Sequence, residues 1–381
     1  MAEVTARTRA DVRDRATWTE LFYDLVLAFG VGQVAHVLAL HPGWPRLGGC
    51  LLVLVPLWWA WVDVVMAMNA VHETNTQRVF LLLAGLATYG MSMSAQHALE
   101  SRPEALLYAG SYLALRLLIG EAIRRECAVY TIHPYRAGLA FALGLFGVTA
   151  LPDGMRTAGW AIAVVAEILA PLVLSGHLRQ LAFGVNHLPE RFGMFIIIAL
   201  GENVVSVGAW AGGGHLGATE LTAVALAFLT GCGLWWLYFH LAASAVAHAL
   251  RAHPRPSVVV RDVLSYGHLA LVCGLLLVAV GAERIVAEPD ATPHRLAAGL
   301  LPAGAALFTL TFCYTRRRMF GAASVTRFGG GLALLGVVAA APRVPGLVTL
   351  GAVAFVLVAV NGLEHYLLTG GRHVPLIFVK R

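Results

Sequence analysis

Five ionisable residues interrupt otherwise apolar stretches of this chain: Asp24, Asp63, Arg116, Glu167 and Glu202. A charge inside a membrane helix costs roughly 2.5–3.5 kcal/mol on insertion scales, so each needs a partner, a water-filled cavity or a task. At about 1.5 Å per residue, Asp24 lies ~10 Å from the near end of its apolar run, Asp63 ~12 Å and Arg116 ~10 Å. Glu167 and Glu202 lie nearer the middle of theirs, and the five are expected to share one layer. The chemistry would be that of a proton- or cation-responsive site, with Asp24, Glu202 and Asp63 as titrating carboxylates and Arg116 as counter-ion. The competing reading is a structural network of ion pairs and hydrogen bonds that fixes helix packing. Glu20 and Asp24 are four residues apart and share a helix face; two like charges there favour one being protonated or paired.

Further polar groups flank these. Gln33 and His36 lie beyond Asp24 on the same run and would extend a polar path outward, since histidine titrates near neutrality. An amide, Gln33 or Asn203, follows thirteen residues after Glu20 and Glu190 respectively. Glu20 and Glu190 stand where helices begin, so capping against the helix dipole is their expected role. Arg191 is expected at the membrane interface, with its charged end reaching toward water. Cys50, Cys127, Cys232, Cys273 and Cys313 form no CxxC pair, and no His/Cys/Asp/Glu spacing matches a metal-ligand set. No cofactor motif is present, so none is expected.

Those residues must be positioned by membrane helices. The 381-residue chain is 59% hydrophobic and 13% charged, with a mean hydropathy of +0.74; soluble domains are about 25% charged. This excludes an ordinary soluble enzyme, a disordered chain and a disulfide scaffold. A pI near 9.3 would suit nucleic acid, but the arginines sit in short loops between apolar runs, which is membrane topology. The expected partners are the lipid bilayer and a small solute or ion, not nucleic acid. A spanning helix needs about 20 apolar residues. Twelve candidate runs are present: 17–38, 49–71, 79–98, 105–123, 137–151, 157–177, 190–211, 218–242, 266–286, 296–314, 326–341 and 346–368. The fold class is an all-α polytopic membrane protein. With the N-terminus inside, twenty basic residues fall in inside segments and six outside, which predicts cytoplasmic termini and a bacterial inner-membrane location.

The two halves resemble each other. Glu20-Leu21-Phe22 matches Glu190-Arg191-Phe192, and Trp58-Trp59-Ala60-Trp61 matches Trp235-Trp236-Leu237-Tyr238. Six helices per half would give parallel repeats related by an axis along the membrane normal. The expected organisation is an N-terminal arm (1–16), a first repeat (17–178), a linker (179–189), a second repeat (190–369) and a tail (370–381).

Thr17-Trp18-Thr19-Glu20-Leu21-Phe22-Tyr23-Asp24, Glu190-Arg191-Phe192-Gly193 through Leu200-Gly201-Glu202, Trp235-Trp236-Leu237-Tyr238-Phe239 and Tyr266-Gly267-His268-Leu269 carry a family likeness. The chain resembles the bacterial low temperature requirement protein A (LtrA) family over about residues 13–370. The resemblance implies a growth phenotype in the cold and no defined biochemical activity. Duplication plus buried carboxylates predicts a small-solute or ion transporter, with proton coupling as its sharper form. A channel is the second reading, since Phe22-Tyr23-Asp24 is similar to an F-S-D first-helix motif in a six-helix potassium channel family. A lipid-modifying enzyme or a sensor would fit a cold phenotype, but no nucleophile–base pair or His-box is present. Substrate, coupling ion and oligomeric state stay open.

Overall fold

In the computed structural model, which describes residues 16–40, 42–70, 75–126, 132–173, 187–211, 217–293 and 295–379, each of the twelve apolar runs overlaps a helix. The first six are α1 (Trp18–Leu40), α2 (Trp44–Ala70), α3 (Asn75–Ser94), α4 (Arg102–Glu126), α5 (Ile132–Val148) and α6 (Asp153–Val173). Next come α7 (His187–Ala211) and α8, which runs from Ala218 to Leu237, through a π-helical turn at Tyr238–Ala242, and on to Ala252. α9 extends from Pro256 to Ala287 with a π-helical stretch at Val259–Gly267. α10 (Arg295–Phe320), α11 (Val325–Ala340) and α12 (Gly346–Thr369) complete the series. Residues 323–324 and 376–377 pair antiparallel, so the C-terminal residues fold back beside the start of α11. The expected arm (1–16) and linker (179–189) lie mostly outside the described residues.

Among the described residues, ten helical stretches are long and apolar enough to cross a membrane. The other two of the twelve expected helices, α3 and α5, do not meet both measures. α3 opens on Asn75-Thr76-Gln77-Arg78, which lowers its hydropathy, and α5 has 17 residues. α9 begins ten residues before its expected start at 266. The extra turns contain Arg261 and Asp262, which the apolar pattern rejects, but Asp262 accepts from Arg261 at 2.6 Å and from Arg318. Large apolar side chains such as Phe22, Leu25, Ile162 and Phe355 point outward, exposed, as lipid-facing positions do. The chain is an all-α, multi-pass membrane protein.

Contacts divide the chain into two units: residues 1–34, 48–195 and 254–257, and residues 35–47, 196–253 and 258–381. Unit boundaries fall inside α1, α2, α7 and α9. The first unit has an aromatic core in which the Trp61 ring lies 4.8 Å from both Phe192 and Phe195 and 5.0 Å from Trp58. In the same unit, Gly30 of α1 packs so closely on α3 that any side chain would strike Ser92.

The second unit is built on the contact of α9 with α10, which glycines make possible. A Cβ at Gly281 would meet the Leu301 backbone nitrogen at 2.5 Å, and one at Gly274 would meet the Gly304 carbonyl at 2.9 Å. Small residues let membrane helices approach to backbone contact, where packing substitutes for a hydrophobic driving force. Backbone cannot give way as a side-chain tip can. Gly281→Ala is therefore expected to cost about 1–3 kcal/mol, seen as a lowered unfolding midpoint in detergent. Gly336→Ala, with open space around it, is expected to be neutral or stabilising, since alanine favours the helix. Equal midpoints for the two variants would remove this account of the α9–α10 contact.

Candidate functional site

The first unit holds a group of four charged or ionisable side chains with no solvent exposure: Glu20 and Asp24 of α1, and His187 and Arg191 of α7. The start of α1 explains the placement of Glu20. Thr17 Oγ1 accepts from the Glu20 amide at 3.3 Å, and Glu20 Oε2 accepts from the Thr17 amide at 2.8 Å. This reciprocal capping box fixes the first turn. The other carboxylate oxygen, Oε1, lies 2.9 Å from Arg191 Nη1 and 3.3 Å from His187 Nε2. Asp24, one turn on, receives Arg191 in a two-pronged contact, Nη2 to Oδ1 at 2.5 Å and Nε to Oδ2 at 3.2 Å. The Trp61 indole adds a third donor, Nε1 to Oδ1 at 2.7 Å. One guanidinium thus serves two carboxylates on one face of α1.

Counted among these four side chains alone, the formal charges do not balance without a proton. Two carboxylates and one guanidinium leave one negative charge, and a proton on His187 or on either carboxylate makes the group neutral. A net charge in an apolar interior is costly, so the group is chemically disposed to hold or release one proton. Groups this strongly coupled titrate together rather than singly.

A second group lies in the same unit. Arg116 of α4 pairs with Asp63 of α2 and, at 2.7 Å from Nη2, with Glu167 Oε1 of α6. The Tyr112 hydroxyl, one turn before Arg116, hydrogen-bonds both Glu167 and Arg116. Gly138 of α5 leaves room for the guanidinium, since a Cβ there would meet Arg116 Nη1 at 2.7 Å. Glu167 is buried, while the Asp63 side chain is 27% exposed. Tyr23, hydrogen-bonded to Thr88 at 3.2 Å, feels the charges of Asp24, Arg191 and Arg116, so it is within electrostatic reach of both groups.

Several expectations change here. Arg116 was the expected counter-ion for the layer, yet Asp24 is served by Arg191, and Arg116 by contrast holds Asp63 and Glu167. Arg191 is not interfacial: it is wholly buried, because two carboxylates on one α1 face demand a cation. Glu20 caps its helix and also belongs to the buried group, whereas Glu190 is exposed in the first turn of α7. Sequence reasoning missed His187, which fell in the expected linker. Its signal was position: it is four residues before Arg191, on the same face of α7.

Gln33, in the first unit, accepts from Gln96 at 2.6 Å. The other expected residues belong to the second unit. Glu202 is half-buried and interacts electrostatically with Glu283, which in turn interacts with His36. Asn203 donates to the Ala199 carbonyl at 3.2 Å. It lines a cavity of about 590 Å³ with Gly201, Trp235 and Trp236, and the walls are almost wholly apolar. Among the described residues, no cluster of three or more His, Cys, Asp or Glu is placed to hold a metal ion.

Known proteins add the following. The family model for the bacterial low temperature requirement A protein (LtrA) matches residues 15–362. The chain is also similar to an uncharacterized protein of Rhizobium meliloti, 26% identical over 297 residues, covering 72% of this chain and 70% of that protein. No solved structure matches it.

Proposed function

We propose that this chain, which belongs to the bacterial low temperature requirement A family, moves a small solute or ion across the bacterial inner membrane in exchange for, or together with, protons. One observation carries the reading: two carboxylates, Glu20 and Asp24, are fully buried together with a histidine, His187, and share one guanidinium, Arg191. The Arg116 group also sets two carboxylates on one guanidinium, but its Asp63 is 27% exposed, whereas Glu20 and Asp24 are both fully buried and a histidine joins them. An extra acid beside a histidine costs stability and is the feature expected of groups that load and unload a proton. In this reading Arg191 competes with the proton for the two carboxylates, and Trp61 holds the Asp24 carboxylate in place. The Arg116 group braces α2, α4 and α6. The full architecture under this reading is twelve spanning helices in two parallel repeats, 17–178 and 190–369, with both termini cytoplasmic.

The test is flux in proteoliposomes with a pH-sensitive dye inside, across a panel of cations and small metabolites, with and without a pH gradient. Wild type is expected to show solute-dependent proton movement, and Asp24→Asn, purified as a folded protein, at least a tenfold slower signal. Wild type that is folded yet silent across the panel, or Asp24→Asn with undiminished flux, would overturn the reading.

A further inference from the structure

We propose that a cavity in the second unit, where the ends of α10 and α12 meet the start of α11 and the C-terminal residues, binds a phosphate group. The cavity has a volume of about 70 Å³, room for more than one water molecule. Its charged walls are Arg316, Arg327 and Glu364. Arg327 and Glu364 satisfy each other: Nη2 lies 2.9 Å from Oε2, and Nε lies 3.1 and 3.2 Å from the two carboxylate oxygens. Glu364 Oε1 is further engaged by the hydroxyls of Thr326 at 2.5 Å and Ser324 at 3.2 Å. That carboxylate is fully used.

Arg316 is the surplus. Arg318 pairs with Asp262, and Arg317 and Arg316 lie over the Phe378 and Phe320 rings at 5.6 and 5.9 Å, but of the three it is Arg316 that lines the cavity. Arg316 has no carboxylate within ion-pair distance among the described residues, and its buried Nε has no hydrogen-bond acceptor. Its only charged neighbours of note are Arg327 and the already engaged Glu364. The cavity therefore carries one uncompensated positive charge next to a donor without an acceptor. An anion supplies both.

The backbone around the cavity is unusual in a way that points to the same place. Both π-helical segments reach it: Tyr238 begins the first, Val263 lies in the second, and His268 follows directly. Single π turns inside α-helices are frequent at functional sites. Here they bring the Tyr238 hydroxyl within 2.8 Å of His268 Nε2, while His268 Nδ1 contacts the Val263 carbonyl at 2.9 Å. The imidazole is thus held rigidly in the cavity wall. Val374, two residues before the strand that pairs with 323–324, closes another side.

The class of anion follows from the donors. A guanidinium presents a planar fork that matches two oxygens of an oxyanion. A halide would use none of that geometry. The phosphate can be free or part of a lipid headgroup, because the cavity sits at helix ends.

The experiment uses the full chain in phosphate-free nonionic detergent. Inorganic phosphate is titrated by calorimetry, and co-purified phosphatidylglycerol is measured by native mass spectrometry. One saturable phosphate site is expected, at least tenfold weaker in Arg316→Gln and unchanged in Arg317→Gln. Val374→Trp, which fills the cavity without altering charge, is expected to abolish binding and guards against misfolding of the arginine variant. If phosphate is silent but phosphatidylglycerol stays with wild type and is lost from Arg316→Gln and Val374→Trp, the headgroup is the source. The proposal falls if wild type holds neither, or if Arg317→Gln weakens binding as much as Arg316→Gln. These readouts are independent of solute flux, so this site and the transport reading stand or fall separately.

Discussion

Arg191→Gln is expected to cost about 3–5 kcal/mol, the range for breaking a buried ion pair by removing one partner. Domain stabilities are only about 5–15 kcal/mol, so poor yield and a large fall in unfolding midpoint should follow. The reason is asymmetry. Arg191 makes contacts at 2.9 Å to Glu20 and 2.5 Å to Asp24, all fully buried. Without it, two carboxylates one turn apart are left in an apolar interior, with the His187 ring 3.3 Å from Glu20. The same logic predicts rescue. Adding Glu20→Gln and Asp24→Asn removes the stranded charges, and the triple variant should recover most of the lost midpoint. Replacing a buried ion group by neutral residues of similar volume is often neutral or better. An Arg191→Gln protein as stable as wild type would show that the carboxylates find another counter-charge.

The second large effect is expected at Arg116, and the ranking among its partners is the informative part. Arg116→Gln leaves Glu167 buried and uncompensated, again costing about 3–5 kcal/mol. Glu167→Gln should cost less, about 1–3 kcal/mol, because Arg116 keeps Asp63 and the amide still accepts a hydrogen bond. Asp63→Asn should cost least, about 0–1 kcal/mol, since its side chain is 27% exposed and solvent screens the pair. A double-mutant cycle between Arg116 and Glu167 should show a coupling of about 0.5–3 kcal/mol. The opposite order, with Asp63→Asn the more damaging, would mean that the Asp63 contact dominates the group.

The contrast between what was legible in the sequence and what was not follows from range. Helix positions follow from local hydropathy, so all twelve runs overlap helices. Glu20 and Asp24 sharing a face follows from helical spacing alone. Their partner could not be found that way, because a separation of 167 positions between Asp24 and Arg191 carries no local signal of which cation closes the pair. Arg116 was nearer in sequence and lay within an apolar run, whereas Arg191 stood at a helix start, so Arg116 was the natural choice for Asp24. The early start of α9 was hidden for a related reason. Arg261 and Asp262 read as a polar loop until Arg318, 56 residues away, joins them. Glu364 lies in the apolar run 346–368 and is buried where Arg327 reaches it.

Glu20 also ties the buried group to the backbone. Its carboxylate accepts from the Thr17 amide on one oxygen and faces Arg191 and His187 with the other. Any change in how that carboxylate shares its charge is felt at the first peptide bonds of α1 with no intervening element. Amide hydrogens at a helix start exchange through local opening, well below the global unfolding energy. Exchange at residues 17–21 therefore acts as a gauge wired directly to the interior, quickening when Glu20 gives up its hold and slowing when it regains it.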